Sequence, residues 1–269
     1  VEIGYEREMR ERQVERRSAV ATPVGAEWAR ENLGFEADEK QARLLDSTGK
    51  RVVVNCTRQW GKSTVSAARA VMEAWRNPGS LTVVASPSAR QSGELVKKAG
   101  RFLQVLGERV KGDGVNAISL ALRNGSRIVG LPGMEGTVRC YSGVALLVVD
   151  EASRVSEAVY CGALHAMVAA SEGAIWLLST PNGKRGFFWR AWALDVGVWE
   201  RVEVKGEECP RIAAAHLAEA RATLGERYYR QEYCCEFVEE EDRVFREEDI
   251  ERAVTEEFEP YRIGRKGEV

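Results

Sequence analysis

The stretch VVVNCTRQWGKST, residues 52–64, decides how this chain is read. A β-branched run from Val52 to Val54 predicts a buried strand, Thr57–Trp60 a turn, and Gly61-Lys62-Ser63-Thr64 the opening of a helix. Backbone N–H groups at such a junction face outward, and the helix dipole favours an anion there. The pattern is that of a phosphate-binding loop, G-x-x-x-x-G-K-[ST], with one departure. Cys56 stands where the first glycine belongs. The competing reading is an ordinary exposed lysine at a helix start, so the rest of the sequence has to decide.

Working outward, short apolar runs alternate with helical patterns. Strands are expected at 51–56, 81–86, 127–131, 145–150 and 174–179, and helices at 37–46, 62–76, 88–106 and 155–170. Unbroken β-branched runs separated by helices predict an α/β fold with a mainly parallel central sheet and helices on both faces. Ligands in such sheets bind beyond the carboxyl ends of the strands. Each unusual polar cluster falls at such an end.

Asp150-Glu151 closes the run LLVVDE. A strand that delivers carboxylates to its carboxyl end suits Asp150 to a magnesium ion and Glu151 to activating water as a general base. The alternative is two acids capping the next helix. Ser179-Thr180-Pro181-Asn182-Gly183 ends another strand, and with Gly186 predicts an adaptable loop that can sense a terminal phosphate. At the first loop, Arg58, Gln59, Trp60 and Gly61 are candidate nucleotide contacts, with Lys62, Ser63 and Thr64 following. Lys62 suits the β- and γ-phosphates, and the Ser63 hydroxyl suits Mg²⁺. Arg58 and Arg139 are candidate charge stabilisers, either of them alternatively a surface ion pair. Gln41, ten residues before the first strand, is placed to read an adenine edge with its amide or to lie solvated on its helix.

Composition sets the outer limits. The chain has 269 residues, 44% of them hydrophobic and 30% charged, with a net charge of −2, which describes a globular protein rather than a polycation. Nucleic-acid binding would therefore need basic residues gathered locally or contributed by several copies. No apolar run approaches the roughly 20 residues that span a bilayer. The six cysteines include no C-x-x-C pair, which argues against a zinc or disulfide framework and fits a reducing cytosol. Cys234 and Cys235 are expected on a helix. The domains read as a charged amino-terminal arm (1–36), a nucleotide-binding core (37–205), a small helical subdomain (206–245) and a charged linker (246–269). Two helices, 212–224 and 226–237, flank Gly225 in that subdomain.

Taken in order, NCTRQWGKST, VVASPSARQS, NGSRIVGLP, TVRCYSG, LLVVDEA and LSTPNGKRGFF resemble the ATPase domain of the large terminase subunit, the DNA-packaging motor of tailed phages. The resemblance covers about Gln41 to Phe237. It implies a P-loop NTPase of the additional-strand, catalytic-glutamate type with a helical lid, using ATP and Mg²⁺. It also implies a homo-oligomeric ring on double-stranded DNA at the portal of a procapsid, a small terminase subunit as partner, no membrane, and action in the host cytoplasm. By match, Gln41 is the adenine-motif glutamine, Arg58–Ser63 the Walker A loop, Asp150 and Glu151 the Walker B pair, and Ser179–Pro181 the coupling motif. Arg139 matches the arginine of a T-x-R-G-x-S stretch, with Cys140 replacing its glycine, and is the favoured finger acting in trans. Relatives continue into a nuclease domain. Nothing after Val238 supplies the acidic cluster of such a nuclease, so the chain is expected to end in the linker before it. Two other readings share part of this chemistry: a superfamily-2-like helicase, and an ATP-dependent assembly switch that does not move DNA.

Overall fold

The computed structural model describes residues 25–132, 141–195 and 197–239. Helices α1 (Gly25–Leu33) and α2 (Glu39–Asp46) precede strand β1 (Arg51–Cys56), which leads into α3 (Lys62–Arg76). Then come β2 (Leu81–Ser86), α4 (Ala89–Val105), β3 (Ser119–Ala121), β4 (Arg127–Pro132) and β5 (Leu146–Asp150). After β5 follow β6 (Ala174–Ser179), α5 (Gly186–Ala193), β7 (Glu200–Val204), α6 (Ala214–Thr223) and α7 (Glu226–Glu232). The seven strands form one sheet in the order β3-β4-β2-β5-β6-β1-β7. All pairs are parallel except β3 with β4.

The five expected strands form within a residue of their expected bounds, and β3 and β7 join them at the two edges. The interior strands are buried on both faces because their side chains are apolar at nearly every position. The outward half of the sheet packs on α1–α4 through Val52, Val54, Val84, Leu95 and Trp176. The opposite face packs on α5 and the segment after β5 through Val53, Leu147, Val149, Ile175, Leu164 and Phe188. Alternation within each strand thus feeds two separate cores, one on each side.

Four local expectations change. The segment 155–170 is not one helix but a turn of α-helix (Glu157–Val159), a π-type turn (Tyr160–Leu164) and a 3₁₀ turn (His165–Val168). Gly162 lies at its centre, weakening the helix, while Tyr160 stacks on Phe187 and fixes the wider turn. Residues 186–193 form a helix rather than an adaptable loop, since Phe187, Phe188 and Ala191 are drawn into the core. Helix α7 stops at Glu232, so Cys234 and Cys235 lie beyond it. Cys235 adopts φ +59°, its carbonyl accepts from Asn55 Nδ2 at 2.7 Å, and it turns Phe237 back against Trp189. The expected amino-terminal arm holds α1, whose Trp28, Ala29 and Leu33 belong to the core, so packed structure begins before residue 37. Residues 1–24 and the expected linker 246–269 lie outside the described residues.

Cys56 is explained by its position. It is the last residue of β1, paired in register with Val204 of β7, and fully buried. It is not among the residues with positive φ, so nothing in its backbone calls for glycine. Burial pushes its thiol up to about 12, with Lys62 pulling the other way, so the side chain is a small neutral core group. The glycine that matters is Gly61, at φ +96°, where a Cβ would sit 3.0 Å from Gln41 Nε2. Cys56→Gly is therefore expected to cost about 2 kcal/mol of stability in urea unfolding, through lost packing and a freer strand, and to leave nucleotide affinity unchanged. A gain in affinity would show that the loop needs that glycine after all.

Candidate active site

The sheet order places β5, β6 and β1 side by side, and their carboxyl ends open on one edge. From β1 the chain makes the turn Thr57–Trp60, with Gln59 at φ +63°, and enters α3 at Lys62. From β5 it delivers Asp150 and then Glu151, the latter at φ +53°. Left-handed backbone at two residues that are not glycine stores about 1–3 kcal/mol each, and such strain gathers at functional sites. Both lie in the elements that face each other here.

Across the strand between them the two elements touch. Ser63 Oγ donates to Asp150 Oδ2 at 3.1 Å, and Lys62 Nζ lies 2.8 Å from Glu151 Oε1. Burial pushes the Asp150 carboxyl above its ordinary value, Lys62 pulls it down, and Glu151 adds to the rise. Burial opposes the Lys62 ammonium, but its acidic surroundings outweigh this and raise it, so it stays charged. The oxygen donors Ser63 Oγ and Asp150 fit a hard divalent cation. Among the described residues no cluster of three acidic, cysteine or histidine side chains could cage a metal alone. A cation here would draw its other ligands from phosphate and water, which is the habit of Mg²⁺.

Above these contacts lies a cavity of about 340 Å³ lined by Arg58, Gln59, Gly61, Lys62, Ser63, Gln91, Lys98, Glu151 and Arg154. Its cations are local, in a chain whose net charge is −2. The segment after β6 lies beneath: Ser179 Oγ is 2.8 Å from Ser153 Oγ, and Thr180 Oγ1 accepts from Arg154 Nη1 at 3.1 Å. Ser179 and Thr180 are buried, and so is Pro181. Contacts thus link Ser63 to Asp150 and, through Arg154, Glu151 to Thr180.

Other expected residues are held differently. Gln41 is 1% exposed and completes a capping box with Asp38. Its Nε2 donates to the Trp60 carbonyl at 3.1 Å, while its Oε1 accepts from Asp38 N and from Arg211 Nη2. Both ends of the amide are engaged, so Gln41 props the loop in this conformation rather than presenting a free edge. The Trp60 indole is buried in the core at 1% exposure, leaving its carbonyl as its contribution to the loop. Thr64 lies inside the first turn of α3, its N–H donating to the Gly61 carbonyl. Arg139 lies outside the described residues.

Three side chains at the site were not read from the sequence. Arg211, just before α6, donates to Asp38 Oδ2 and to the Trp60 carbonyl, both at 2.8 Å. Arg154, which lines the cavity, pairs with Glu151 and with Glu232. Charge alone could not single them out among so many arginines and glutamates.

The chain matches the profile of the family described as terminase large subunit, T4likevirus-type, N-terminal, over residues 54–252. It belongs to that family. A terminase large subunit of Thermus virus P23-45 is 25% identical over 254 residues, covering 80% of this chain and 51% of the relative. That of Thermus phage G20c is equally similar. The chain therefore spans about half the length of the curated relatives it matches. In fold it resembles a mutant of the large terminase ATPase domain of Thermus phage P74-26 (TM-score 0.68, 22% identity, 80% of this chain and 100% of that one). It also resembles the large terminase of bacteriophage D6E solved with ATP-gamma-S (TM-score 0.62, 15% identity, 74% and 52%).

Arg211 joins the segment before α6 to Asp38, to Gln41 and to the Trp60 carbonyl of the loop. Arg211→Ala is expected to lower stability by about 1 kcal/mol, since these charge-assisted bonds are partly exposed. It should also speed amide exchange across residues 206–238, measured by mass spectrometry. Unchanged exchange there would mean the lid is held without it.

Proposed function

We propose that this domain is an ATP hydrolase, the motor of a phage packaging machine that drives double-stranded DNA into a procapsid. The observation that carries the reading is the double contact at the cavity floor, Ser63 with Asp150 and Lys62 with Glu151. Such a floor joins a phosphate-binding loop to a pair of acids, and family membership and the ATP-gamma-S complex of the D6E protein support the same substrate.

In this reading the N–H groups at the start of α3 cradle the β-phosphate of ATP. The Lys62 ammonium leaves Glu151 for the β- and γ-phosphates, which frees the Glu151 carboxylate. Glu151 then accepts a proton from a water whose oxygen attacks the γ-phosphorus, breaking its bond to the β–γ bridging oxygen and releasing ADP. When bound, Mg²⁺ supplies positive charge to the phosphate oxygens, and Ser63 and Asp150 are the residues that would hold it. Arg58 lies in the loop itself, and Arg139 is proposed to reach a neighbouring copy's site in a ring. Ser179, Thr180 and Pro181 register the γ-phosphate and pass its loss to the lid.

Double-stranded DNA, the portal, the small terminase subunit and a nuclease in the other half of the full protein are the proposed partners, at work in the host cytoplasm. Among the described residues no helix is long and apolar enough to cross a membrane.

Lys62→Ala is expected to weaken ATP binding, and Glu151→Ala to keep binding while lowering phosphate release by about 10²-fold or more. Normal turnover by Glu151→Ala would overturn the assignment of the base. Mixing Arg139→Ala chains with Lys62→Ala chains is expected to recover hydrolysis, because mixed interfaces rebuild one complete site. An active Arg139→Ala protein that gains nothing on mixing would move the finger to Arg58 or another residue.

A further inference from the structure

Glu232, the last residue of α7, sits where the lid meets the cavity, its side chain 11% exposed. Its Oε2 accepts from Arg58 Nε at 2.6 Å, and its Oε1 lies 3.4 Å from Arg154 Nη2. Gln231 also donates to Oε1, at 3.3 Å. One carboxylate is thus shared between two guanidinium groups that both line the cavity. Arg154 continues the connection: its Nη1 donates to Thr180 Oγ1 at 3.1 Å and lies 3.5 Å from Glu151 Oε2. A single arginine therefore touches the proposed base, the proposed coupling segment and the lid.

Local preference does not explain the placement of this acid. A carboxylate at a helix carboxyl end faces the negative pole of the dipole and is disfavoured there. The two arginines compensate for it. Elsewhere on this side the lid is tied down through main-chain groups: Thr57 Oγ1 donates to the Glu232 carbonyl and Asn55 Nδ2 to the Cys235 carbonyl. Those bonds carry no net charge. The Glu232 carboxylate is the part of the attachment that an incoming anion can contest.

Carboxylate and phosphate oxygens are the same kind of partner for a guanidinium group, and phosphate carries the greater charge. We propose that Glu232 is a positioning residue that stands in for the γ-phosphate: it holds Arg58 and Arg154 when no triphosphate is bound, and it surrenders them when one arrives. This rests on the ATP reading given above. Part of the binding free energy of a triphosphate then goes into releasing the lid, whereas a diphosphate does not reach the two arginines and leaves the latch closed. Arg154, drawn to phosphate, keeps its contact with Thr180 and Glu151 and so carries the signal to both. When phosphate leaves, Glu232 recaptures the pair.

The test compares ATP-gamma-S with ADP by calorimetry on the full chain, together with amide exchange across residues 206–238. Glu232→Gln keeps the shape and removes the charge. It is expected to tighten ATP-gamma-S about 5-fold or more, to leave ADP affinity unchanged, and to abolish the difference in lid exchange between the two nucleotides. Glu232→Asp, which retains the charge, should restore that difference at least in part. Arg154→Gln should weaken ATP-gamma-S and spare ADP, and combining it with Glu232→Gln should give less than the sum of the two effects. If Glu232→Gln does not fold, the Glu232→Asp and Arg154→Gln arms decide the matter. Equal tightening of both nucleotides, or a lid difference that survives in Glu232→Gln, would overturn the proposal while leaving the ATP assignment intact. A native chain that binds neither nucleotide would instead remove the reading beneath it.

Discussion

Across the width of one intervening strand, β6, the ends of β1 and β5 are tied by Ser63 to Asp150 at 3.1 Å and by Lys62 to Glu151 at 2.8 Å. The rest of the site depends on these two contacts. Asp150 and Glu151 are adjacent acids in a partly closed space, and without a nearby ammonium and hydroxyl they would repel one another and lose hydration uncompensated. The parallel sheet makes the arrangement possible, because parallel strands all release their chains at the same edge. The registers of β1 with β6 and of β6 with β5 then set how far each polar cluster projects beyond it. The same contacts explain why left-handed backbone is retained at Gln59 and Glu151. Strain at those residues persists where surrounding structure over-determines it.

The lid grips the loop from two sides by different means. On one side Arg211 binds Asp38, Gln41 and the Trp60 carbonyl, groups that belong to the scaffold and have no reason to change partners. On the other, Glu232 binds Arg58 and Arg154, which face the cavity. One attachment is fixed and the other is exchangeable, which is the arrangement expected of a hinge opposite a latch. Glu232 is largely buried, so its pairs are screened less than surface ion pairs are.

Electrostatics are local in this molecule. A net charge of −2 gives no sign of an anion site, yet Arg58, Lys62, Lys98 and Arg154 line a single cavity. Their charge is answered by Asp150, Glu151 and Glu232, so the proposed triphosphate has to displace internal partners to enter. In the proposed function Lys62 leaves Glu151 and Arg58 leaves Glu232. In that reading binding is linked to rearrangement, which suits the proposed motor.

Much of this could be read from the chain itself. The interior strands, α3 and the clusters at residues 58–64, 150–151 and 179–181 announce themselves because β-branched runs, a Gly-Lys-Ser turn and terminal acids are local signals, each complete within a few residues. Helix α1 was hidden inside a charged region, and β7 was missed because ERVEV carries too few apolar residues to stand out. The break in 155–170 depended on Tyr160 meeting Phe187, and the early end of α7 on Asn55 capturing the Cys235 carbonyl. Gln41 and Trp60 could be located near the loop but not oriented, since a capping box and a core pocket decide where their side chains point. Arg154, Arg211 and Glu232 gained their meaning from partners up to 174 positions away. Sequence determined which groups could do the chemistry because that is a matter of residue type and near neighbours. Tertiary structure alone decided which charges face one another, because that depends on strand order and on where the folded lid comes to rest.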